Sequence, residues 1–129
     1  MIVDASALLA VLFVEPDKDE FRDRLLSTSD LLMSPVNYLE ASVRADDPRH
    51  PLKGPELDAL IDEFGITLAA IDAKQAHLAR VAYQKFGKGN HAAKLNLGDC
   101  FAYALSKARD EPLLFKGDDF RLTDVEAAI

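Results

Sequence analysis

The sequence contains one cysteine, Cys100, so no internal disulfide can form and a reducing, cytoplasmic compartment is expected. No apolar run reaches the roughly twenty residues needed to cross a bilayer, which excludes a membrane-embedded role. The nearest approach, residues 5–14, follows Asp4 and runs into Glu15-Pro16-Asp17, with no basic segment before it and no small-residue cleavage site after it. That pattern is a buried helix rather than a secretion signal. There is no internal repeat, no low-complexity segment, no Walker-type phosphate loop and no G-x-G-x-x-G, so binding of a nucleotide cofactor has no support. His50, His77 and His91 lack metal-ligand spacing, and the serines lack a nucleophile elbow.

What remains is a chain of 129 residues, 49% hydrophobic and 29% charged, the composition of one soluble domain spanning residues 1–129 with a substantial core. Its net charge of −7 opposes simple coating of nucleic acid, where a basic surface supplies most of the affinity. The charge is unevenly spread, however. Residues 73–98 contain no acid, yet they hold Lys74, Arg80, Lys85, Lys88 and Lys94 together with His77 and His91. This basic stretch reads either as a phosphate-binding segment or as a solvated helix and loop.

The local pattern alternates between short apolar runs and amphipathic helices. Residues 1–3 read as a strand feeding a helix that Asp4 or Ser6 caps, and that helix ends before Pro16. A helix over residues 18–27 follows, with Phe21, Leu25 and Leu26 on one face. After a strand at 31–33, Ser34-Pro35 opens a helix with Val36, Leu39 and Val43 at helical spacing and Glu40 among them. Three prolines and Gly54 make residues 46–55 a loop. Leu57, Leu60, Ile61 and Phe64 form the next helical stripe, closed by Gly65 as a left-handed cap. A mostly buried strand is expected over 66–71, then a helix from Asp72 to about Phe86 that Gly87 ends. Asn96 and Asp99 form a variant capping box for a helix whose apolar face holds Phe101, Ala104, Leu105 and Ala108. Residues 112–115 are a buried strand, 117–120 a loop, and the tail is at most a small terminal element. Four strands alternating with helices imply a parallel sheet with helices on both faces and right-handed crossovers.

On this frame the acids fall at telling places. Asp4 and the Asp118/Asp119 pair directly follow strands, and open parallel sheets bind ligands outside the carboxyl ends of their strands. Asp99 in a first helical turn and Glu40 near a second can project from the same end of the sheet. Carboxylates gathered closely repel one another unless a cation compensates, and a hard divalent metal is the usual solution. Such a metal binds carboxylate and water oxygens, leaves positions for a phosphate, and activates water for phosphodiester cleavage. Each acid also has a plainer role: Asp4 as a cap, Asp99 as the partner of a helix dipole, one of Asp118 and Asp119 as a turn former. Glu40 has Val36 and Val43 on either side at helical spacing, which places it beside an apolar stripe where an unpaired carboxylate is costly. Two rivals are weaker. Cys100 adjoins Asp99, which raises its pKa and blunts it as a nucleophile. A phospho-acceptor aspartate wants a lysine at a later strand end, a place Lys116 fills only loosely.

Ile2-Val3-Asp4-Ala5-Ser6-Ala7-Leu8, Tyr38-Leu39-Glu40-Ala41, the run from Leu97-Gly98-Asp99 to Ala104, and Leu113 to Phe120 together resemble the PIN-domain ribonucleases, specifically VapC-type toxins. The resemblance implies an α/β/α PIN-like domain around a parallel sheet. It implies Mg²⁺, or Mn²⁺, held by acids corresponding to Asp4, Glu40, Asp99 and Asp119 or Asp118, with Asp4 and Asp99 as direct metal ligands and Asp119 slightly favoured over Asp118. It further implies a VapB-type antitoxin that blocks the site, a toxin homodimer, and a structured RNA, such as tRNA or rRNA, cut in a loop. Lys85, Lys88, His91 and Lys94 are then candidates for RNA phosphate contacts. The alternative is a catalytically silent PIN-like module that binds RNA or protein.

Replacing Lys85, Lys88 and Lys94 together by alanine is expected to lower RNA affinity and flatten its dependence on salt. An unchanged salt slope in filter binding removes these residues from the phosphate contacts.

Overall fold

The computed structural model describes residues 1–129. Four strands, β1 (Ile2–Val3), β2 (Leu32–Met33), β3 (Thr67–Leu68) and β4 (Leu113–Leu114), form one parallel sheet in the order β3-β2-β1-β4. Six helices accompany them: α1 (Ala5–Leu12), α2 (Lys18–Ser27), α3 (Pro35–Ala45), α4 (Lys53–Phe64), α5 (Ala73–Phe86) and α6 (Leu97–Arg109).

The two-residue period of a strand sorts neighbouring side chains to opposite faces, and here it divides the core in two. Val3, Met33 and Leu114 pack with residues of α1, α2, α3 and α4. Ile2, Leu113 and the partly buried Leu32 pack with α5 and α6. The result is a three-layer α/β/α arrangement in which the central strands are apolar throughout, as strands covered on both faces must be. The chain steps from β1 to β2 to β3 with its helices on one face. It then returns past β1 to β4 with its helices on the other, as crossovers of one hand require. The strand order therefore reverses between β1 and β4, the position where open α/β sheets leave a crevice at the carboxyl edge. Asp4 follows one of these strands and Asp118-Asp119 the other. Backbone hydrogen bonds from Ile2 N to Pro112 O (2.9 Å) and Asp4 N to Leu114 O (3.0 Å) fix the two strands in register.

Three local expectations change. The strand expected over 66–71 is only β3, an edge strand with Thr67 and Leu68 exposed. Ile66 and Ala69 turn inward on either side of it. It pairs with β2 alone, so it needs no two-sided apolar run. The loop chemistry of 46–55 ends early, because Gly54 and Pro55 lie in the first turn of α4, where no intrahelical N–H donor is required. The apolar stripe of α3 faces outward: Leu39 is 61% and Val43 67% exposed, while the buried face is Asn37, Ala41 and Ala45. Small residues on that face let α3 approach the sheet and α6 closely.

Other expectations hold. Gly65 caps α4 at φ 67°. Gly87 ends α5 with extended backbone, and a Cβ there would collide with the carbonyl and ring of Tyr83. The tail forms a short 3-10 turn, Asp119–Leu122, and then a single parallel bridge from Ala127 to Leu113, which covers the free edge of β4.

Leu114→Ala is expected to cost about 3 kcal/mol in urea denaturation, as a fully buried leucine does. Leu39→Ala should change stability by no more than about 0.5 kcal/mol, and a larger loss would place the α3 stripe in the core after all.

Candidate active site

Asp4 ends β1 and caps α1, so its carboxylate is fixed by backbone geometry. Its Oδ2 accepts hydrogen bonds from the Ser6 amide (3.1 Å) and the Ser6 hydroxyl (2.5 Å), and the residue is 5% exposed. The Ser6 hydroxyl in turn accepts from the Lys116 amide at 2.9 Å, linking the ends of β1 and β4. Asp99 is fixed by the expected capping box. Its Oδ2 accepts from Asn96 N (3.0 Å), and its own amide donates to Asn96 Oδ1 (2.9 Å). Glu40 comes from the second turn of α3. Its Oε1 accepts from Asn37 Nδ2 at 2.8 Å, and its carboxylate occupies the place where a Cβ on Gly98 would stand.

These acids meet electrostatically. Burial pushes the Asp99 carboxyl up to about 7, against the lowering effect of the Asn96 amide, and the charges of Asp4, Glu40 and Asp119 add to the rise. Burial also raises Glu40, opposed by its Asn37 hydrogen bond and helped by the charge of Asp4. Asp4 is raised by burial despite the Ser6 donors. No ion pair neutralises any of the four. Asp119 opens the 3-10 turn after β4 and contributes its charge to the rise at Asp99, whereas Asp118 lines a separate small hollow with Asp17, Glu20 and Arg121. Of the adjacent pair, Asp119 is the one whose charge acts on Asp99.

Asp4, Glu40 and Asp99 border a cleft of about 910 Å³. One side is apolar, formed by Leu9, Val36, Leu39, Val43 and Leu97, and Arg44 and Lys116 also reach it. The donor chemistry suits a hard cation: every candidate ligand is an oxygen, and Glu40 Oε2 and Asp99 Oδ1 receive no hydrogen bond from the protein. No three acids converge tightly enough to wrap an ion by themselves.

The rivals lose ground. Burial and then the charge of Asp99 push the Cys100 thiol up to about 11, so it is not a nucleophile at neutral pH. The Lys116 ammonium pairs with Glu15 and with Asp17 (3.0 Å) rather than with Asp4, unlike the lysine of a phospho-acceptor site. The basic residues Lys85, Lys88, His91 and Lys94 are exposed and lie outside the cleft. His91 is occupied locally, its Nδ1 accepting from the Ala93 amide (3.0 Å) and its ring meeting Phe86 edge-on. The loop that carries Lys88, His91 and Lys94 nevertheless runs directly into Asn96 and the start of α6.

The family model described as PIN domain matches residues 1–126. The chain belongs to the PIN-domain family. Relatives across nearly its whole length are VapC ribonucleases. The "Ribonuclease VapC" of Mycolicibacterium smegmatis is 45% identical over 127 residues, 98% of each chain. "Ribonuclease VapC30" of Mycobacterium tuberculosis is 43% identical over 125 residues, covering 97% of this chain and 95% of the relative. "Ribonuclease VapC28" of the same species is 43% identical over 130 residues, covering 100% and 98%. No helix of this PIN domain is long and apolar enough to cross a membrane.

Two residues at the site have no site role assigned from the sequence. Asn37 looks like an ordinary polar position on a helix, yet it is fully buried against Glu40. Gly98 reads as a break near a helix start, whereas its missing side chain makes room for a carboxylate. A clue did exist: Asn37 stands one helical turn before Glu40, and Gly98 immediately precedes Asp99.

The raised carboxyl of Asp99 gives a pH prediction for the metal-free PIN domain. Between the ordinary value of 3.8 and the folded value of about 7, the folded state binds more protons than the unfolded state. Stability from this group is therefore present at low pH and declines as pH rises toward about 7. Thermal melts in chelator should show this decline, and Asp99→Asn should make it shallower; equal slopes for the two proteins would contradict the burial and crowding of Asp99.

Proposed function

We propose that this PIN domain is a Mg²⁺- or Mn²⁺-dependent endoribonuclease toxin that hydrolyses phosphodiester bonds in structured RNA and is held inactive by a cognate VapB-type antitoxin. One observation carries the proposal: Asp4, Glu40 and the half-buried Asp99 border one cleft, and no ion pair offsets any of these carboxylates. The names of the VapC ribonuclease relatives support the reaction class.

Asp4 and Asp99 are the proposed metal ligands, since both are held rigidly at helix starts. A bound divalent ion would supply Lewis-acid stabilisation of the phosphoryl oxygens and a lowered pKa for attacking water. Glu40, whose Oε2 receives no hydrogen bond from the protein, would position or activate that water. Asp119, on a more exposed turn, completes the acidic rim nearer the substrate. Arg44 at the cleft edge and the basic loop from Lys88 to Lys94, with Lys85 beside it, attract phosphates that the acidic floor would otherwise repel. Bases splayed from a tRNA or rRNA loop fit such a cleft better than a duplex, whose sequence is hidden in a narrow groove.

The apolar wall formed by Val36, Leu39, Val43 and Leu97 suits an antitoxin segment that lays apolar side chains beside the acids and covers them. A homodimer that lines up two clefts in a common groove belongs to the same proposal.

Purified protein freed of antitoxin should cleave cellular RNA in Mn²⁺, and Asp99→Asn or Asp4→Asn should reduce the rate by at least about a hundredfold. Identical cleavage by wild type and Asp99→Asn would defeat the assignment. Asp119→Asn should slow cleavage by about tenfold or more, while Asp118→Asn stays close to wild type. Calorimetry with Mn²⁺ separates a silent module, which would keep the fold but show no Asp99-dependent binding.

A further inference from the structure

Among the clustered acids, Glu40 has the least backbone support. Asp4 and Asp99 sit at helix starts and bond to nearby amides, whereas Glu40 extends a longer side chain from the middle of α3. Asn37 and Gly98 surround it. Asn37 is 0% exposed, and its amide nitrogen donates to Glu40 Oε1 (2.8 Å) and to the Gly98 carbonyl (3.0 Å). Both hydrogens of the amide are thereby used. Its Oδ1 is buried with no partner at all. Turning the amide over would set that oxygen against two acceptors, so Glu40 and Gly98 together dictate its orientation.

A buried acceptor without a donor opposes folding, and an apolar residue of similar size would avoid it. What asparagine offers here is the pair of bonds it donates. From the other side, the bare Cα of Gly98 leaves a recess that the Glu40 carboxylate fills, and any larger residue would expel it.

Building on the metal-dependent nuclease reading above, we propose that Asn37 is a positioning residue for Glu40, and that Gly98 provides the seat in which Asn37 holds the carboxylate toward Asp4 and Asp99. Asn37 touches neither metal nor RNA; it acts by restricting Glu40, much as partners behind metal ligands orient them.

Mn²⁺ titration calorimetry of the whole chain tests this. Asn37→Ala should weaken Mn²⁺ binding about tenfold. In a Glu40→Gln background the same change should have no further effect, because its route to the metal is gone. A purely structural asparagine would instead lower the melting temperature, leave Mn²⁺ affinity of the folded protein unchanged, and add to the effect of Glu40→Gln. Gly98→Ala approaches from the opposite side and favours the helix locally, so it serves if Asn37→Ala does not fold. It too should bind Mn²⁺ about tenfold more weakly, and a crystal structure should show Glu40 displaced. Wild-type affinity in both variants, or in Gly98→Ala with Glu40 unmoved, overturns the proposal. If wild type and Asp99→Asn bind Mn²⁺ equally, the metal reading itself fails and this inference falls with it; Asp99-dependent binding that ignores Asn37 and Gly98 refutes this inference alone.

Discussion

Mutual repulsion among Asp4, Glu40, Asp99 and Asp119 is the constraint around which the structure is arranged. Like charges that share a poorly solvated site raise one another's pKa values and oppose folding. The chain tolerates them because three of the four are tied to something local: Asp4 to Ser6, Asp99 to Asn96, Glu40 to Asn37. None of these ties supplies a positive charge. The cluster is held in place by hydrogen bonds without being neutralised by any ion pair within the protein.

The fold contributes by bringing distant segments to one rim. Strands of two residues each are enough, because Ile2, Val3, Leu113 and Leu114 are buried between helical layers and the backbone pairing needs to define only a register. Reversal of strand order beside β1 opens the crevice, and the starts of α1 and α6 bring backbone amides to it. The same geometry that makes helix starts good partners for negative charge makes them suitable mounts for acids.

Much of this was legible in the sequence. The apolar runs ending in Asp4 and in Asp118-Asp119, the Asn96/Asp99 spacing and the four-strand alternation each have a local physical cause, and the family motifs cover nearly the whole chain. What was hidden depends on which surface a residue meets. Val36, Leu39 and Val43 have the spacing of a core-facing stripe, but alanines on the opposite side of α3 take the interior because the sheet and α6 come too close for larger groups. Residues 66–71 look like a buried strand because Ile66 and Ala69 are indeed inside, yet β3 is an edge. The difference between Asp118 and Asp119 depends on a single 3-10 turn, which no periodicity reveals.

Lys116 joins three parts of the molecule. Its amide donates to the Ser6 hydroxyl that holds Asp4, while its ammonium reaches Glu15 and Asp17 in the corner between α1 and α2. One residue thus serves two acidic neighbourhoods at once: its backbone fixes the partner of Asp4, and its positive charge is spent on Glu15 and Asp17, leaving the cluster without it.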